Sequence, residues 1–271
     1  MNKEFIQQEG EGSEMEAEGR KPFPFITAHT GCMETLDNTL DAVRMGIKLG
    51  ADIVEDDVRV TKDGIAILAH DDIWTTVAGR SISISEMNFT ELKNVEVAVD
   101  YAGKQGSMTF STLEEMLRLI KPTGTIANLD LKVDEAVDAA AELVHSLGML
   151  EQVFLSGCER ERALLAQRRQ PQLRKLLNAD IRFFRTSPYE VAVEQTCREA
   201  LEASCFGINI YHEVVTPWFM ERARASGLPV FVWTVNETQL MEHYADLGVA
   251  SITARNVQVL ADLKQARANE A

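Results

Sequence analysis

The sequence is poor in basic residues, and this shortage excludes two classes of partner. Its 271 residues include 27 Lys and Arg against 42 Asp and Glu, which gives a formal net charge of −15. Nucleic acids and anionic membranes are bound mainly through Lys and Arg, so a chain this acidic should repel both. The same charge would attract a metal cation wherever several carboxylates converge.

Cysteine and long apolar runs are also scarce. The four cysteines, at positions 32, 158, 197 and 205, form no C-x-x-C pair and no cluster typical of a zinc site. We expect free thiols in a reducing compartment, because a chain of this size does not need a disulfide framework. No stretch approaches the ~20 apolar residues of a membrane span. The Glu- and Gly-rich start lacks the pattern of a signal peptide, so we expect a cytoplasmic protein.

The length and the order of the apolar segments predict an α/β fold, a single (β/α)8 TIM barrel. About 250 residues is the usual size of that fold, and 45% of the residues are hydrophobic, enough for a large core. Short apolar runs alternate with helix-like stretches, as in βαβ units with a parallel sheet. Composition alone predicts a flexible acidic segment over 1–22, which leaves 23–271 for the barrel domain.

Nine apolar runs are candidate strands, one more than the barrel needs. They lie at 25–29, 52–58, 64–70, 125–131, 152–156, 175–179, 207–211, 229–235 and 250–253, and the helix candidates at 39–49, 113–120, 136–147, 159–167, 188–200, 217–225 and 237–247. A Lys-Asp-Gly turn signal directly joins the second run to the third, whereas parallel neighbours need a crossover of about a dozen residues. We therefore predict a hairpin over 58–70, followed by a small insertion over about 72–110.

Carboxylates cluster at the carboxyl ends of the predicted strands, where barrel enzymes carry their active sites. Glu55 and Asp57 are two residues apart on one strand and share a face, while Asp56 points outward. Asp130 lies near the end of the adjacent strand and can face the same place. Three carboxylates at one barrel mouth predict an oxygen-rich site for Mg²⁺ or Ca²⁺. A solvated acidic run is the alternative, which the apolar strand around these residues disfavours.

Two of the five histidines, His29 and His70, each end an apolar strand at the predicted mouth. Their shared position beside a carboxylate cluster indicates a general acid–base pair. Metal ligation by both is the alternative, although the oxygen-dominated surroundings argue against zinc. Lys132 lies at the same end, where it can pair with Asp130 or bind a phosphate. Trp233 ends another strand there and offers its ring to a substrate or to packing.

The order and spacing of these motifs resemble the glycerophosphodiester phosphodiesterase family over about 24–260. The family's motifs include His-Arg-Gly, Glu-Asn-Thr, Glu-x-Asp-Val, Thr-x-Asp-Gly, His-Asp, Thr-Leu-Glu-Glu, Glu-x-Lys and Trp-Thr-Val-Asn. The similar segments are, in the same order, 29–31, 37–39, 55–58, 61–64, 70–71, 112–115, 130–132 and 233–236. A single motif of this kind is weak evidence, but their common order makes the resemblance specific.

The resemblance implies a metal-dependent hydrolase that converts glycerophosphodiesters to sn-glycerol 3-phosphate and an alcohol. The positions that match the family's metal ligands are Glu55, Asp57 and Asp130, and those that match its acid–base pair are His29 and His70. The resemblance also implies that Lys132 holds a phosphate oxygen. The expected partner is a small-molecule phosphodiester, the expected cofactor is Mg²⁺ or Ca²⁺, and the sequence is compatible with a homo-oligomer.

Several positions depart from the family's pattern. They are Thr30 in place of Arg, Asp37 and Asp130 in place of Glu, Gly157-Cys158 in place of Ser-Phe, and Thr253-Ala254 in place of Thr-Asp. The lost Arg and Phe lead us to expect a divergent phosphodiester and poor activity on simple glycerophosphodiesters. Two alternatives stay open: a non-catalytic relative that binds a polyol phosphate, and a barrel enzyme of other chemistry in which Lys132 reacts.

Overall fold

The computed structural model describes residues 21–101 and 104–269. Its strands are β1 (Phe25–Ala28), β2 (Ile53–Val60), β3 (Ala66–Leu68), β4 (Ile73–Thr75), β5 (Ser81–Ser83), β6 (Val97–Tyr101), β7 (Lys104–Met108), β8 (Ile126–Leu131), β9 (Val153–Ser156), β10 (Leu176–Asn178), β11 (Gly207–Tyr211), β12 (Val230–Trp233) and β13 (Ser251–Ala254). Its helices are α1 (Leu40–Lys48), α2 (Phe89–Leu92), α3 (Leu113–Ile120), α4 (Ala136–Leu147), α5 (Arg160–Arg169), α6 (Ile181–Thr186), α7 (Tyr189–Glu202), α8 (Pro217–Ala225), α9 (Thr238–Leu247) and α10 (Val257–Asn269). The predicted segment 1–22 falls almost entirely outside the described residues.

Eight parallel strands form a nearly closed barrel. Their hydrogen-bonded order is β10–β11–β12–β13–β1–β2–β8–β9. The two ends of this order meet at a parallel bridge between Leu155 and Lys175. There, the Leu155 N–H donates to the Arg174 carbonyl at 3.0 Å. The predicted (β/α)8 fold is confirmed, since all eight barrel strands lie on predicted apolar runs.

A hairpin leaves the end of β2 and returns the chain to the barrel mouth. β3 pairs antiparallel with β2, with Val58 opposite Leu68, so the predicted hairpin is confirmed. The turn is held by Thr61, whose hydroxyl donates to Asp63 and accepts the Ile65 N–H. This hairpin matters for the site, because it carries the chain back to His70 beside the end of β2.

The predicted helices are confirmed, and their ends follow local capping chemistry. α3 begins after Thr112, whose hydroxyl accepts the Glu115 N–H while the Glu115 carboxylate accepts the Thr112 N–H. α4 ends at Gly148, which has the left-handed φ of 64° typical of a helix C-terminus. Sequence patterning did not predict α2, α6 or α10. The first two are only 4 and 6 residues long, too short for a clear helical period.

Apolar side chains fill the amino-terminal half of the barrel interior. Ile53, Phe154, Leu176 and Phe231 are buried there together, with Phe154 and Phe231 at a ring-centroid distance of 5.9 Å. Replacing a buried Phe by Ala typically costs about 3–5 kcal/mol, so this plug contributes substantially to the free energy of unfolding. Because the plug fills that end, the carboxylates that face the interior lie toward the carboxyl ends of the strands.

Two small hairpins lie between β3 and α3 and do not join the barrel sheet. β4 pairs with β5, and β6 pairs with β7. Trp74 on β4 meets Phe110 edge-on, with ring centroids 5.4 Å apart, above a separate small apolar cluster. The treatment of 72–110 as an insertion stays a prediction. Among the described residues, no helix combines the length and hydropathy needed to cross a bilayer.

Candidate active site

The alternation of side chains along β2 and β8 brings three carboxylates together. Glu55 and Asp57 face the barrel interior, where their strand register places them opposite Asn128 and Asp130. The ligand oxygens of Glu55, Asp57 and Asp130 all lie within 4.8 Å of one another. The three residues predicted to be near each other are therefore adjacent at the mouth.

Burial and mutual repulsion shape the ionisation of these carboxylates. Burial, followed by the charges of Asp57 and Asp130, raises the pKa of Glu55 well above its ordinary value. Burial also acts to raise the pKa of Asp57, but the Lys132 charge and hydrogen bonds from Asn38 and Lys132 outweigh it and lower that pKa. The Lys132 charge and these hydrogen bonds therefore outweigh the effect of burial on Asp57, whereas the effect of burial on Glu55 is not outweighed.

Lys132 lies between two of the carboxylates. Its Nζ is 2.9 Å from Asp57 Oδ1 and 2.9 Å from Asp130 Oδ1. Burial acts to lower the pKa of Lys132, yet Asp130 and Asp57 outweigh it, and the pKa is raised. Of the two roles that the sequence left open, the pairing with Asp130 is the contact that the structure shows.

The residues present fit a divalent cation. All three candidate ligands are carboxylates, the donors that Mg²⁺ and Ca²⁺ prefer. With Lys132 counted, three carboxylates and one ammonium give the group a formal charge of −2, which one divalent ion would balance. In the same interior layer, the buried Asn128 Oδ1 has no hydrogen-bond partner among the described residues. An unpaired oxygen beside excess negative charge indicates a place for a cation.

Asp56 and Asn38 form the support behind the carboxylates. Asp56 points outward from the barrel, as expected, but it is fully buried beneath the surrounding elements rather than solvated. The Asn38 Nδ2 donates to Asp56 Oδ1 at 2.7 Å and to Asp57 Oδ2 at 2.9 Å. Asn38 Oδ1 in turn accepts the His70 N–H at 3.2 Å. One buried amide thus connects a candidate ligand to a candidate catalytic histidine.

His29 and His70 both keep Nε2 available for proton transfer. His29 Nδ1 is 2.8 Å from the Thr30 carbonyl, and His70 Nδ1 is 2.9 Å from Asp71 Oδ1. Both partners only accept hydrogen bonds, so each Nδ1 carries the proton and each Nε2 offers a lone pair. Burial, with a smaller contribution from Arg255, lowers the pKa of His29, against an opposing hydrogen bond to Thr30.

These side chains line a cavity of about 1070 Å³ at the barrel mouth. All seven predicted site residues line it: His29, Glu55, Asp57, His70, Asp130, Lys132 and Trp233. Trp74 from β4 also lines it, so part of the segment over 72–110 borders the opening. Trp233 packs against Tyr211 with ring centroids 5.6 Å apart, which fixes its ring as a wall.

Two departures from the family's pattern have structural consequences. Thr30 is buried, and its hydroxyl accepts the Asn38 N–H at 2.6 Å, so it supports the loop after β1 without offering charge. Gly157 follows β9 with φ of 67°, and a Cβ there would lie 2.4 Å from Asp130 Oδ1. Glycine at this position leaves the space that the Asp130 carboxylate uses.

The structure adds three residues that the sequence reasoning did not assign to the site. Asn38 could have been found from its place in the Glu-Asn-Thr-like motif, and Asn128 from its position two residues before Asp130 on one strand face. Arg255 lines the cavity two residues after Thr253. The alternation of side chains along the last strand could have indicated Arg255, because residues 253 and 255 share a face.

Comparison with known proteins places this architecture in a family. The model of the glycerophosphoryl diester phosphodiesterase family matches residues 27–258. A glycerophosphodiester phosphodiesterase of Caldanaerobacter subterraneus is 22% identical over 239 residues, which cover 88% of this chain and 96% of that protein.

Solved structures agree with the fold. A putative glycerophosphoryl diester phosphodiesterase from Silicibacter pomeroyi has a TM-score of 0.79 at 20% identity, covering 92% of this chain and 96% of its own. An Oleispira antarctica phosphodiesterase, solved in complex with the product sn-glycerol-3-phosphate, has a TM-score of 0.73 at 21% identity, with 89% and 96% covered. The family match spans most of the chain and confirms the expected enzyme class, a phosphodiesterase. The chain belongs to the glycerophosphoryl diester phosphodiesterase family.

Proposed function

We propose that this protein hydrolyses glycerophosphodiesters to sn-glycerol 3-phosphate and an alcohol, with Mg²⁺ or Ca²⁺ as cofactor. The observation that carries the proposal is the convergence of Glu55, Asp57 and Asp130 in the cavity that His29 and His70 also line. The product held by the Oleispira relative is the half of the substrate that this reaction would release. A merely binding site would not need two histidines with free Nε2 atoms.

Glu55, Asp57 and Asp130 are the proposed ligands of the divalent ion. When bound, such an ion supplies positive charge to a phosphate oxygen and helps to orient the ester. Asn38 keeps Asp57 in place through its amide. Lys132 is the proposed phosphate contact on the chain itself, because its ammonium already lies among the carboxylates.

His29 is the better candidate for the general base. Its lowered pKa favours the neutral imidazole near pH 7, and its Nδ1–H is committed to the Thr30 carbonyl. Nε2 can then take the proton of the attacking water or substrate hydroxyl. The complementary task, protonation of the leaving alcohol, falls to His70 in its imidazolium form, in which Asp71 holds Nδ1–H and Nε2 gives its proton to the departing oxygen.

Trp233 is the proposed wall for the glycerol or the alcohol half. It is half-buried, lines the cavity and is backed by Tyr211. The altered positions Thr30 and Gly157-Cys158 support a divergent diester rather than the simplest glycerophosphodiesters. We also propose a cytoplasmic enzyme, because the four cysteines, all buried, are free in the structure.

The deciding experiment measures product release from a panel of glycerophosphodiesters with Mg²⁺, Ca²⁺ or chelator. We expect release of sn-glycerol 3-phosphate that requires the metal and falls by a factor of about 10² to 10⁴ in His29→Ala and in His70→Ala. His145→Ala is the matched control, since His145 is an exposed histidine on α4. Its activity should equal that of the wild type.

Three outcomes separate the alternatives. Brisk hydrolysis of glycerophosphocholine would refute the divergent specificity but support the hydrolase. Absence of turnover on every diester, together with binding of sn-glycerol 3-phosphate, would replace the hydrolase by a non-catalytic binder. Borohydride trapping of a carbonyl substrate on Lys132 would instead indicate other barrel chemistry.

A further inference from the structure

Arg255 follows β13 directly and lies at the barrel mouth on the same side as His29. Thr253 and Arg255 are two residues apart, and both line the cavity. The Arg255 backbone is tied on both sides: its N–H donates to Asn236 Oδ1 at 2.9 Å, and its carbonyl accepts the Met33 N–H at 2.9 Å. The side chain therefore extends from a fixed point.

Asp37 holds the guanidinium of Arg255 by two hydrogen bonds. Nη1 is 2.5 Å from Oδ1 and Nη2 is 3.2 Å from Oδ2. The pair lies against Gly31, where a Cβ would be 1.7 Å from Asp37 Oδ1 and 2.4 Å from Nη1. The glycine thus makes room for the pair at the mouth. The pair stays open to the cavity, because the Arg255 side chain is 34% exposed.

The guanidinium retains unused donors. It carries five N–H groups, and the bonds to Asp37 use two of them. Within residues 21–101 and 104–269, the structure shows no partner for the other three. Since Arg255 lines the cavity, an anion that enters it can accept these hydrogen bonds.

The other cations around the cavity are more heavily committed. Lys132 bridges Asp57 and Asp130. Arg162 donates to the Leu131 and Gly157 carbonyls, as well as to a carboxylate. Arg182 is paired with the carboxylates of Glu159 and Asp180.

The positive charge of Arg255 acts on two side chains of the candidate active site, His29 and Glu55. Its charge contributes to lowering the pKa of His29, and it interacts with the charge of Glu55. Its position therefore brings a cation close to both the candidate base and a candidate metal ligand.

We propose that Arg255 is a substrate-binding residue that donates hydrogen bonds to the phosphate of the diester and of the sn-glycerol 3-phosphate product, with Asp37 positioning its guanidinium. This inference rests on the proposed function. A planar guanidinium with free N–H groups suits phosphate oxygens. The neutral Thr30, on the loop beside it, cannot supply that charge.

The test measures the dissociation constant of sn-glycerol 3-phosphate by calorimetry, with Mg²⁺ present, for wild type, Arg255→Gln and Asp37→Asn. Both variants break the same ion pair, but Asp37→Asn keeps the cation. We expect binding about 10- to 100-fold weaker in Arg255→Gln, as for a lost charge-assisted hydrogen bond. Asp37→Asn loses the positioning carboxylate but keeps the cation, so its binding should weaken less, by about two- to fivefold. Arg255→Lys should lie between wild type and Arg255→Gln because it lacks the planar fork.

Two controls keep the result interpretable. Arg118→Gln removes an arginine that pairs with Glu114 on the surface of α3, and its binding should match wild type. Thermal unfolding of every variant checks the fold, and KM for the diester should rise in parallel with the dissociation constant.

Different failures overturn different claims. Equal weakening in Arg255→Gln and Asp37→Asn would show that the pair is structural and would refute phosphate binding by Arg255. Unchanged binding and KM in Arg255→Gln, with an active wild type, would refute this inference alone. A wild type that neither binds sn-glycerol 3-phosphate nor hydrolyses any diester would refute the proposed function together with this inference.

Discussion

The two histidines of the mouth show how position changes the chemistry of one residue type. Each donates Nδ1–H to an oxygen, but the His29 side chain is 24% exposed and that of His70 is 62% exposed. Burial makes the charged imidazolium unfavourable, so the His29 pKa lies below its ordinary value of 6.5. A half-buried, neutral imidazole is suited to accept a proton near neutral pH.

We expect the acid limb of kcat/KM to have its midpoint below pH 6.5, the ordinary histidine value. Below that pH, His29 binds more protons in the unfolded chain than in the folded one, so its contribution makes the free energy of unfolding decrease as pH falls through 6.5. The measurement is kcat/KM over about pH 5 to 8, with an NMR titration of the His29 imidazole. A His29 imidazole that titrates above 6.5 would contradict the assignment.

At the scale of elements, the site depends on the junctions where strands become loops. Gly157 follows β9, and Asp130 lies near the end of the neighbouring β8. A Cβ at Gly157 would meet both the Asp130 carboxylate and the Leu131 carbonyl at 2.4 Å. The need for glycine at position 157 therefore arises from the pairing of β8 with β9, and neither strand alone would impose it.

Gly157→Ala should both destabilise the protein and weaken metal binding, because the methyl group displaces Asp130. Gly148→Ala is the matched control: Gly148 also has a left-handed φ, of 64°, but no atom lies within 4 Å of its Cβ position. The control should cost about 1 kcal/mol and leave metal binding intact. The measurements are chemical denaturation and Ca²⁺ titration. Equal results for the two variants would show that the space beside Asp130 is unimportant.

In the molecule as a whole, the interior carboxylates lie at one end of the barrel and the apolar plug lies at the other. The chain carries a formal charge of −15, and its carboxylate cluster lies above the apolar plug of the barrel. A cation bound there would link β2 to β8, two neighbouring strands of the sheet. Binding of a ligand to the folded state alone increases stability.

Saturating Mg²⁺ or Ca²⁺ should therefore raise Tm. At about 100 times the Kd the gain is about 2.7 kcal/mol, which corresponds to roughly 5–10 °C for a domain of this size. Asp130→Asn should remove most of the shift, whereas Asp41→Asn should keep it, since Asp41 is a surface residue on α1. The measurement is calorimetry with and without metal. An equal shift in both variants would place the ion elsewhere.

The barrel, the hairpin after β2 and the convergence of the site residues at the mouth could all be predicted from the amino-acid sequence. These features follow from local physics: strand period, helix capping and turn residues act over a few positions, and strand ends in a parallel barrel share one edge. The alternation of side chains along the strands is therefore enough to predict that Glu55, Asp57 and Asp130 lie together.

The pairing of the polar groups at the mouth could not be predicted from the sequence, because it depends on how distant segments pack together. Lys132 bridges two carboxylates, Asn38 supports the buried Asp56, and Arg255 pairs with Asp37 although 218 residues separate them in the chain. Such pairs depend on the register of neighbouring strands and on closure of the barrel. The distances between the paired side chains are set by the packing of the whole core, and no local sequence pattern encodes that packing.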